Sequence, residues 1–535
     1  MAFAYRQSEE QRLGRPQRHA VVVIGAGPVG LTLALELARH GQAVVVLDDN
    51  DELSSGSRAV CWAQKSLEVF ARHPLPDGAS VADALLARGV RWQRGRVFHG
   101  EREAYAFDLQ PQPGHRLPAM LNLQQCEVEQ RLVEACAQRP EVELRWRHEV
   151  IGLTQTAEGV CLDVRTPDGL FEMRADWVVA CDGARSPTRT LLGIPFVGQA
   201  FEDRFLIADV KLAPGARPRG LDPARPERWF WFDPPFHRGQ SVLLHAQADG
   251  VWRIDFQLGR QADAQAEREP ERVRSRVAAM LGEGVEFELA WVSVYQFACR
   301  RAQRWREGRV LLAGDAAHQV SPFGARGANS GVQDAENLAW KLAAVCRGAA
   351  GAALLDSYES ERQQAADDNI AHSTRATDFI SPHSALSRRL QRAVLDLAEH
   401  QPWARPLVNS GRLSTPSDLA GSPLLTPDDE PWPGGPAPGQ TLPDAPLSAP
   451  LPGAWLSALQ GQPLLLAFGE PALAPRGCTM LSLPAQGLAA ERLAAGEGAH
   501  YLLRPDAVVA ARWRRPPTPA ALDAAWQRLW GAAHG

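Results

Sequence analysis

The fold class is decided by the stretch Val21-Val-Val-Ile-Gly25-Ala-Gly27-Pro-Val-Gly30, in which an apolar strand runs into a turn with three glycines. A helix pattern and a second apolar strand, ending at Asp48, follow directly, and this order predicts an α/β protein with a Rossmann-like unit. The glycines let the backbone approach a pyrophosphate, whose charge the helix N-terminus favours, and Asp48 is placed to bind a ribose. The pattern therefore predicts dinucleotide binding, since a turn that only closes helix onto sheet leaves Asp48 unexplained.

A second glycine-rich segment indicates whether the site binds FAD or NAD, which the first segment leaves open. The strand that begins at Arg309 delivers Gly314 and Asp315, and this carboxylate can bind a ribityl hydroxyl, a group that NAD lacks. The loop that follows carries Gly327 and Asn329 and opens a helix. It can lie against a flat ring, and the positive end of the helix would stabilise charge at the N1/C2=O side of a reduced flavin. The segment therefore predicts an FAD site.

A third segment, Trp177-Val-Val-Ala-Cys-Asp182-Gly183-Ala-Arg-Ser, lies between these two. Together the three segments make the chain resemble the aromatic-ring hydroxylases, the single-component FAD-dependent monooxygenases, over about residues 20 to 375. The C-terminal tail resembles that of the phenol hydroxylase and 3-(3-hydroxyphenyl)propionate hydroxylase branch. The resemblance implies that Asp182 and Gly183 touch both FAD and a transient NAD(P)H.

The resemblance assigns roles to three further residues. Arg58 corresponds to an arginine that follows the second strand near the flavin, and Gln125 corresponds to a glutamine that contacts FAD. Pro322 corresponds to a proline whose carbonyl faces the substrate hydroxyl. From the residues alone, Arg58 could equally be a surface cation, and Gln125 could be a residue at a helix start.

The activity that the resemblance implies is the hydroxylation of an aromatic, phenolic substrate. In this family NAD(P)H reduces FAD, O2 adds at flavin C4a, and the resulting hydroperoxide passes OH to an electron-rich ring. The protein orients the ring, assists phenol deprotonation and keeps water away from the site. Because the family has no separate nicotinamide-binding domain, the sequence leaves NADH and NADPH open.

Substrate contacts are expected from the alternating stretches between residues 200 and 297, which predict an antiparallel sheet over the flavin. Arg253 and Tyr295 are catalytic candidates beside Pro322, and Arg253-Ile-Asp255-Phe resembles an Arg-Trp-Glu-Phe stretch common in the family. For the sheet candidates, a core or surface position is an equally open interpretation. The substrate-binding candidates are Trp229, Trp231, His245, Asp255, Gln257 and Arg326.

The sequence departs from the family pattern near the expected flavin ring. Arg326 stands where relatives commonly carry Gln or Leu, and Ala328 stands where they carry Met or Leu. An arginine there could bind an anionic substrate, alter the mobility of the flavin or point to solvent. Ala298 stands where a histidine is often seen, so a pocket contact is expected to differ. None of these changes removes an FAD ligand.

Changes in composition along the chain predict six segments. Proline and glycine are most frequent between residues 414 and 453, which marks a linker or an extended wrapping segment. The segments are a flexible leader at 1–19, the FAD-binding domain at 20–199 and 298–380, the substrate sheet at 200–297, a helical connection at 381–413, the Pro/Gly-rich segment at 414–453 and a small thioredoxin-like domain at 454–535.

The composition of the chain indicates that its partners are small molecules. The 535 residues carry a net charge of −5, which argues against nucleic acid or an anionic membrane as a partner. The first 19 residues show no signal-peptide pattern, and the eight cysteines show neither a CxxC pair nor metal-ligand spacing. We therefore expect a cytoplasmic protein without a metal. The resemblance implies that its partners are an aromatic substrate and O2. The tail is expected to serve a structural or dimer-contact role in a homodimer.

Two other classes of function remain open from the sequence. A flavin-dependent halogenase or a reductase could use the same scaffold, but a halogenase should carry a WxWxIP segment and a catalytic lysine. Here Trp229-Phe-Trp231-Phe-Asp-Pro lacks the Ile-Pro ending, and lysines are few. A non-catalytic FAD-binding protein is the second alternative, and the presence of Pro322 with a complete glycine loop argues against it.

Overall fold

The computed structural model describes residues 2–54, 59–213, 216, 224–282, 284–382, 384–408, 413–447, 451–459 and 461–531. These residues form a mixed α/β architecture with several sheets, which confirms the predicted class. No helix in the described ranges is long and apolar enough to cross a membrane. The helices are α1 (Glu9–Leu13), α2 (Pro28–Arg39), α3 (Gln64–Phe70), α4 (Val81–Arg88), α5 (Gln125–Cys136), α6 (Pro187–Leu191), α7 (Pro270–Leu281), α8 (Gly327–Cys346), α9 (Leu354–Ile380), α10 (Ala385–His400), α11 (Arg405–Val408), α12 (Leu488–Leu493) and α13 (Pro519–Leu529).

The central sheet carries the Rossmann-like unit. Its strands are β1 (Arg18–Ile24), β2 (Val44–Asp48), β8 (Val142–Trp146), β9 (Glu149–Gln155), β10 (Val160–Thr166), β11 (Gly169–Ala180), β19 (Arg306–Glu307) and β20 (Val310–Leu312). Strands β8, β2, β1, β11 and β20 are neighbours in that order and run parallel. Their apolar runs are buried because helices α2, α5 and α8 cover one face and the β9–β10–β11 meander covers part of the other. All five strands end at the same edge, so their C-terminal loops meet there.

A seven-stranded sheet stands over that edge. Its strands, in spatial order, are β17 (Phe287–Tyr295), β13 (Arg204–Leu212), β16 (Val251–Gly259), β15 (Ser241–Ala246), β14 (Arg228–Phe232), β5 (Arg94–His99) and β6 (Arg102–Asp108). All neighbours are antiparallel except β14 and β5. Five of these strands lie within the range 200–297, and the sheet also includes the hairpin 94–108 from the range assigned to the FAD-binding domain.

Two short sheets connect these layers. They contain β3 (Cys61–Ala63), β4 (Val90–Trp92) and β7 (Met120–Asn122) in one, and β12 (Phe196–Ala200), β18 (Ala298–Ala302) and β21 (His318–Gln319) in the other. Strand β18 follows the seven-stranded sheet directly and pairs with β21, which precedes the loop into α8. The chain therefore returns from the antiparallel sheet to the central sheet through the region where Pro322 lies.

The C-terminal part forms a four-stranded sheet of β22 (Leu464–Phe468), β23 (Thr479–Leu483), β24 (His500–Leu503) and β25 (Val509–Trp513). The Pro/Gly-rich segment before it is packed against this sheet. Leu442, Ala445 and Leu447 are buried in its core, and Thr426 N–H bonds to the carbonyl of Ala510. Of the two interpretations of residues 414–453, the geometry favours a wrapping segment over a free linker.

The first residues of the chain are packed, although a flexible leader was expected at 1–19. Phe3 stacks on Trp146 with ring centroids 4.1 Å apart. Glu10 is buried and accepts hydrogen bonds from Arg145 at 3.0 and 3.1 Å. The sequence pattern missed this arrangement because the partners lie more than a hundred residues away.

A buried ionic cluster joins the C-terminal sheet to α8 and α9. Glu361 accepts hydrogen bonds from Arg504 at 2.6 and 2.9 Å and from Lys341 at 2.8 Å. Arg504 also pairs with Asp506, whose carboxylate accepts a bond from Trp340 at 3.3 Å. Despite burial, the guanidinium and ammonium groups hold the pKa of Glu361 far below its ordinary value. The cluster fixes the C-terminal part against the helix that leaves the cofactor site.

We predict that Arg504→Leu destabilises the protein by about 3–5 kcal/mol, because it leaves the carboxylates of Glu361 and Asp506 buried without their main partner. Urea unfolding followed by tryptophan fluorescence measures this, since Trp340 lies 5.4 Å from the Arg504 guanidinium. As a control, Arg174→Leu breaks an exposed pair with Glu172 and should cost less than about 1 kcal/mol. Equal small effects in both variants would contradict this account.

Candidate active site

One continuous cavity of about 1410 Å³ lies between the C-terminal edge of the central sheet and the antiparallel sheet. It is larger than the roughly 300–1,000 Å³ of most small-molecule pockets, so a dinucleotide and a second small molecule can fit together. All three segments singled out in the sequence contribute to its wall. Their lining residues include Gly25, Gly27, Asp48, Asp182, Gly183, Asp315, Pro322, Gly327 and Asn329.

The turn between β1 and α2 requires glycine at two positions. Gly25 has φ +104°, and a Cβ there would stand 2.5 Å from the carbonyl oxygen of Cys181 at the end of β11. A Cβ on Gly30 would collide with the carbonyl oxygen of Gly25. These two glycines therefore let three backbone segments close on one another. Their role is to shape the turn, and Gly30 is buried behind it.

Gly27 differs from the other two glycines, because a Cβ at this position would meet open space on the cavity side. It is the N-cap of α2, and no side chain caps this helix end. The backbone N–H groups of the first turn are therefore directed at the cavity, where a pyrophosphate would find donors and the positive end of the helix. Asp48 stands beside them and accepts hydrogen bonds from Ala26 N–H at 2.6 Å and Asn50 N–H at 2.9 Å.

Asp182 presents an unpartnered oxygen to the same space. Its Oδ2 accepts a hydrogen bond from the N–H of Thr188 at 3.0 Å. Its Oδ1 is buried and has no hydrogen-bond partner in the described part of the protein. A buried carboxylate oxygen without a donor is costly, so a ligand hydroxyl or N–H at this point would stabilise the site. Gly183, with φ +79°, turns the chain away immediately afterwards.

The segment after β20 is held by a buried carboxylate at its back. Asp334 of α8 accepts hydrogen bonds from Gly314 N–H at 3.0 Å and from Arg362 at 2.7 Å, and it pairs with His318 at 2.8 Å. These bonds hold the short 3-10 helix from Gly314 to Ala316, so that Asp315 is exposed and lines the cavity. His318 is thus a structural residue, whereas Asp315 is placed to meet a ligand.

Both polar atoms of the Asn329 side chain form hydrogen bonds that hold the glycine loop in place. Its Oδ1 accepts from Ala63 N–H at 2.8 Å and Ser66 Oγ at 2.7 Å. Its Nδ2 donates to the carbonyls of Cys61 at 2.9 Å and Ala325 at 2.6 Å. The side chain is therefore fully occupied, and a contact with the cofactor would use its backbone N–H in the first turn of α8. That helix end, like the end of α2, has no side-chain cap.

Gln125 and Arg58 are the two remaining residues that were predicted to contact the cofactor. Gln125 lines the cavity, accepts a hydrogen bond from Ala59 N–H at 3.1 Å and donates one to Glu129 at 2.7 Å. It therefore orders the segment that leads to Ala59. Arg58 lies outside the described residues.

One face of the antiparallel sheet lines the cavity. Some of the predicted substrate-binding residues lie on the cavity wall, and others do not. Arg253, Asp255, His245 and Tyr295 line the cavity, as does Arg326 from the glycine loop. The carboxylate of Asp255 lies 3.4 Å from Arg253 Nε. Strand alternation brings these sheet residues together because the register places His245 opposite Arg253 and Phe205 opposite Tyr295.

The structure does not bring Trp229, Trp231 and Gln257 to the cavity wall. Both tryptophans point to the opposite face, where they pack with α7 in the core of the antiparallel sheet. Gln257 shares the cavity face but lies beyond its rim, where it accepts a bond from Ser241 N–H at 3.0 Å and donates to Ser381 at 2.8 Å. Aromatic and polar side chains alternate with the same period of two along these strands, so the sequence does not show which set faces the cavity.

Burial fixes the charge states of the cavity face. Burial and the neighbouring Asp255 raise the pKa of Tyr295 well above its ordinary value, so the phenol stays protonated. Burial lowers the pKa of His245 well below its ordinary value, and Arg228 and Arg253 lower it further. His245 is therefore neutral. Its Nδ1 lies 3.6 Å from Cys61 Sγ, and its Nε2 has no partner among the described residues.

Arg228, Cys61 and Phe297 are among the cavity residues that the sequence analysis missed. Arg228 and Cys61 line the cavity beside His245, and Phe297 contributes an aromatic wall. Arg228 begins the stretch Arg-Trp-Phe-Trp-Phe. The two tryptophans of this stretch were predicted to contact the substrate, but they lie on the face opposite to the cavity. The alternation itself could have indicated Arg228, since it shares a face with Phe230 and Phe232.

The fold and the cavity define an FAD-binding protein. Two uncapped helix ends for phosphate and ring, Asp48 for a ribose, Asp315 for a ribityl chain and the unpartnered Asp182 oxygen all fit that cofactor. Residues 18–373 match the family model described as an FAD binding domain, and the chain belongs to this family. The predicted cofactor is thereby confirmed. In the described ranges, no group of three or more His, Cys, Asp or Glu side chains could hold a metal ion.

Curated proteins of similar sequence include named hydroxylases. The chain is 34% identical over 366 residues to a 3-(3-hydroxy-phenyl)propionate/3-hydroxycinnamic acid hydroxylase of Mycolicibacterium smegmatis, covering 68% of this chain and 61% of that protein. It is 34% identical over 385 residues to a hydroxylase of the same name from Klebsiella pneumoniae, covering 70% of this chain and 64% of that protein. The chain thus spans about three fifths of the length of the curated relatives it matches.

Solved structures share the fold over most of the chain. The flavin-dependent monooxygenase PieE, in complex with FAD and substrate, has a TM-score of 0.80 at 23% identity and covers 97% of this chain and 100% of its own. The p-nitrophenol 4-monooxygenase PnpA from Pseudomonas putida has a TM-score of 0.63 at 28% identity, covering 74% of this chain and 97% of its own. The resemblance to FAD-dependent monooxygenases is thereby confirmed.

We predict that Gly27→Ala leaves the apoprotein stable, within about 0.5 kcal/mol, but weakens FAD binding at least about tenfold, because the new methyl group occupies the space next to the uncapped helix end. Thermal unfolding of the apoprotein and an FAD titration by calorimetry measure the two effects. Gly351→Ala is the matched control, since a Cβ there also meets open space but far from the cavity. Unchanged FAD affinity in Gly27→Ala would overturn the assignment.

We also predict that Asp315→Ala retains less FAD after gel filtration, with an affinity reduced by roughly 10- to 100-fold, the value of a lost charge-assisted hydrogen bond. The ratio of flavin absorbance to protein measures retention. Asp523→Ala, which removes an exposed carboxylate of α13, should retain FAD like the parent protein. Full flavin occupancy in Asp315→Ala would count against a cofactor contact.

Proposed function

We propose that this chain is an FAD-dependent monooxygenase that uses NAD(P)H and O2 to hydroxylate an aromatic, phenolic substrate. The observation that carries the proposal is one continuous cavity that is lined both by the expected cofactor residues and by the polar face of the antiparallel sheet. The hydroxylase names of the curated relatives support the same reaction, and the substrates in those names are phenolic acids.

The residues at the cofactor end would hold FAD along its whole length. Gly27 and the first turn of α2 would bind the pyrophosphate, Asp48 the ribose and Asp315 the ribityl chain. The N-terminus of α8, which follows Gly327, would lie against the ring. Bound FAD supplies the transfer of electrons from NAD(P)H to O2 and the delivery of one oxygen atom to the substrate.

The residues at the sheet end would orient the ring and manage its proton. Tyr295 remains a neutral hydroxyl donor, and the neutral imidazole of His245 offers Nε2 as an unoccupied hydrogen-bonding atom. Pro322 lines the same end, and its carbonyl already accepts one hydrogen bond, from Ala325 N–H at 3.0 Å. Its second lone pair can accept a bond from the substrate hydroxyl. A phenol positioned in this way can be deprotonated as it reacts.

The apolar part of the wall would exclude water from the reacting atoms. Phe297 and Phe323 pack edge to face with ring centroids 5.4 Å apart, and both line the cavity. Leu243 lines it from the sheet. Such a surface accommodates an aromatic ring and keeps the reactive region dry.

The halogenase alternative finds no support at this site. Lys65 and Lys341 are buried in ion pairs with Glu336 and Glu361, and neither belongs to the residues that line the cavity. No observation favours it over hydroxylation.

Finer features of the chain are part of the same proposal. The parallel pair β22–β23 followed by the antiparallel pair β24–β25, with α12 and α13 packed on them, supports a thioredoxin-like C-terminal domain. The eight free cysteines support a cytoplasmic location. The homodimer stays a prediction, and Leu386 and Leu390 of α10 are exposed apolar side chains that such an assembly could cover.

The direct test combines the FAD-loaded protein with NADH or NADPH and a panel of meta- and para-substituted phenols, including phenolic propionates. We predict that at least one phenol stimulates pyridine-nucleotide oxidation and yields a product heavier by one oxygen atom, which derives from isotope-labelled O2. Free FAD at the same concentration provides the background. No stimulation and no oxygenated product with any phenol would contradict the proposed function.

A further inference from the structure

Helix α10 has more apolar surface than its contacts within the chain cover. Val394, Leu395 and Ala398 are buried in a core that the helix shares with strands β5 and β6. A second set of apolar side chains is exposed on the adjacent face of the helix and consists of Leu386, Leu390, Ala393 and Leu397. The exposed fraction is 77% for Leu386 and 64% for Leu390. An exposed set of apolar side chains on one face indicates an interaction surface.

The exposed apolar residues of α10 are spaced four, three and four residues apart. This is the pattern of a coiled coil, in which apolar positions repeat every 3.5 residues on average and form one seam. From Leu386 to Leu397 the seam extends over three turns, roughly 16 Å at 1.5 Å per residue. Such a seam fits a second helix with the same spacing, because the side chains of each helix enter the gaps between those of the other.

The charges next to the seam make α10 complementary to itself in one orientation. Arg389 and Asp396 are exposed and lie seven residues apart, so both flank the seam on the same side. An antiparallel pair with its two-fold axis between Leu390 and Ala393 brings Arg389 of each copy next to Asp396 of the other. A parallel pair places residues of the same number at the same level, so that Arg389 meets no carboxylate there. Antiparallel helices also align opposite ends of their dipoles.

Asp396 can accept this second cation although it already has one. Its carboxylate pairs with Arg102 of β6 at 2.8 Å, and more than half of each of these two side chains is exposed. An ionised carboxylate has two oxygens and about four lone-pair sites, so it can accept from two arginines. Because exposed ion pairs are weak, the two Arg389–Asp396 pairs would select the orientation, while the leucines would supply most of the affinity.

The apolar surface continues on the helical turns that follow α10. Ala404 and Val408 are buried in the same core as α10, whereas Trp403 and Leu407 are 64% and 51% exposed. Tryptophan is enriched in protein interfaces, which is consistent with a contact surface here. A seam of three turns is nevertheless short for an interface of about 800 Å² per partner, the size typical of stable complexes. We therefore expect a dimer that dissociates in the micromolar range.

We propose that two copies of this chain associate through α10, with the two helices antiparallel about a two-fold axis between Leu390 and Ala393. The inference rests on the homodimer in the proposed function and gives that homodimer its interface. It does not depend on the reaction. Because the same surface is used by both copies, each contact occurs twice. The interface lies in the connecting segment 381–413, whereas the sequence analysis expected a dimer contact in the C-terminal tail.

Sedimentation velocity of the FAD-loaded protein between about 1 and 200 µM measures the association, and we expect the mass to rise from monomer to dimer over this range. Leu390→Lys places two ammonium groups in the seam and should weaken association at least about tenfold. Leu473→Lys is the matched control, since Leu473 is 91% exposed between β22 and β23, and it should associate like the parent protein. A monomer at every concentration would overturn both the homodimer and the interface. A dimer that persists in Leu390→Lys would overturn the interface and leave the homodimer in place.

Exchanging the two charges tests the orientation. Arg389→Asp and Asp396→Arg each bring like charges together twice per dimer, so each should weaken association about three- to tenfold. The double variant reverses both pairs and should regain the affinity of the parent protein. Asp396→Arg also loses the exposed pair with Arg102, which should cost less than about 1 kcal/mol of stability, as thermal unfolding measures. Equal association in the parent, single and double variants would contradict the antiparallel arrangement.

Two further measurements separate this dimer from a membrane contact and from the reaction. Flotation with vesicles of phosphatidylcholine and phosphatidylserine tests whether the apolar face binds lipid, and we expect the protein to stay unbound. A protein that remains monomeric and floats with the vesicles would overturn the proposal. The phenol panel tests the reaction by itself. A protein that dimerises through α10 but hydroxylates no phenol would retain this interface and lose the proposed activity.

Discussion

Backbone segments meet without intervening side chains at the edge of the central sheet, and the rest of the site depends on this contact. Gly25 lies against the carbonyl of Cys181, and Gly30 lies against Gly25. On the other side, a Cβ at Gly331 would stand 2.5 Å from Val29, so α8 packs directly on the start of α2. This packing directs two uncapped helix ends at one space. The cofactor site is therefore a consequence of how the first turn closes.

The antiparallel sheet adds a second constraint, because its two faces have opposite chemistry. One face buries tryptophans and aliphatic side chains against α7, and the other holds arginine, aspartate, histidine and tyrosine over the cavity. Charges on such a face are costly, and the structure compensates most of them internally. Burial raises the pKa of Asp209 to about 6, although Arg253 opposes this shift.

The sequence allowed the cofactor to be predicted because the residues expected to bind it lie in short contiguous segments, such as Gly25 to Gly30 and Gly314 to Gly327. The mixed α/β class and the likeness to FAD-dependent monooxygenases were predicted for the same reason. Contacts across the chain were not accessible, and so the packing of Phe3 on Trp146 and the recruitment of strands 94–108 were missed. The face of the antiparallel sheet that lines the cavity was only partly predicted, since period-two alternation leaves open which set of side chains faces the cavity.

The central claim is that cofactor and substrate share one cavity, with FAD at the central sheet and the substrate at the polar face of the antiparallel sheet. A crystal structure of the protein with FAD and a phenolic acid tests it most directly. The account predicts the flavin ring against the N-terminus of α8, a cofactor contact to the Asp182 Oδ1 atom, and the phenolic compound against the polar face of the antiparallel sheet. A flavin ring outside this cavity, or an acid bound on another surface, would contradict it.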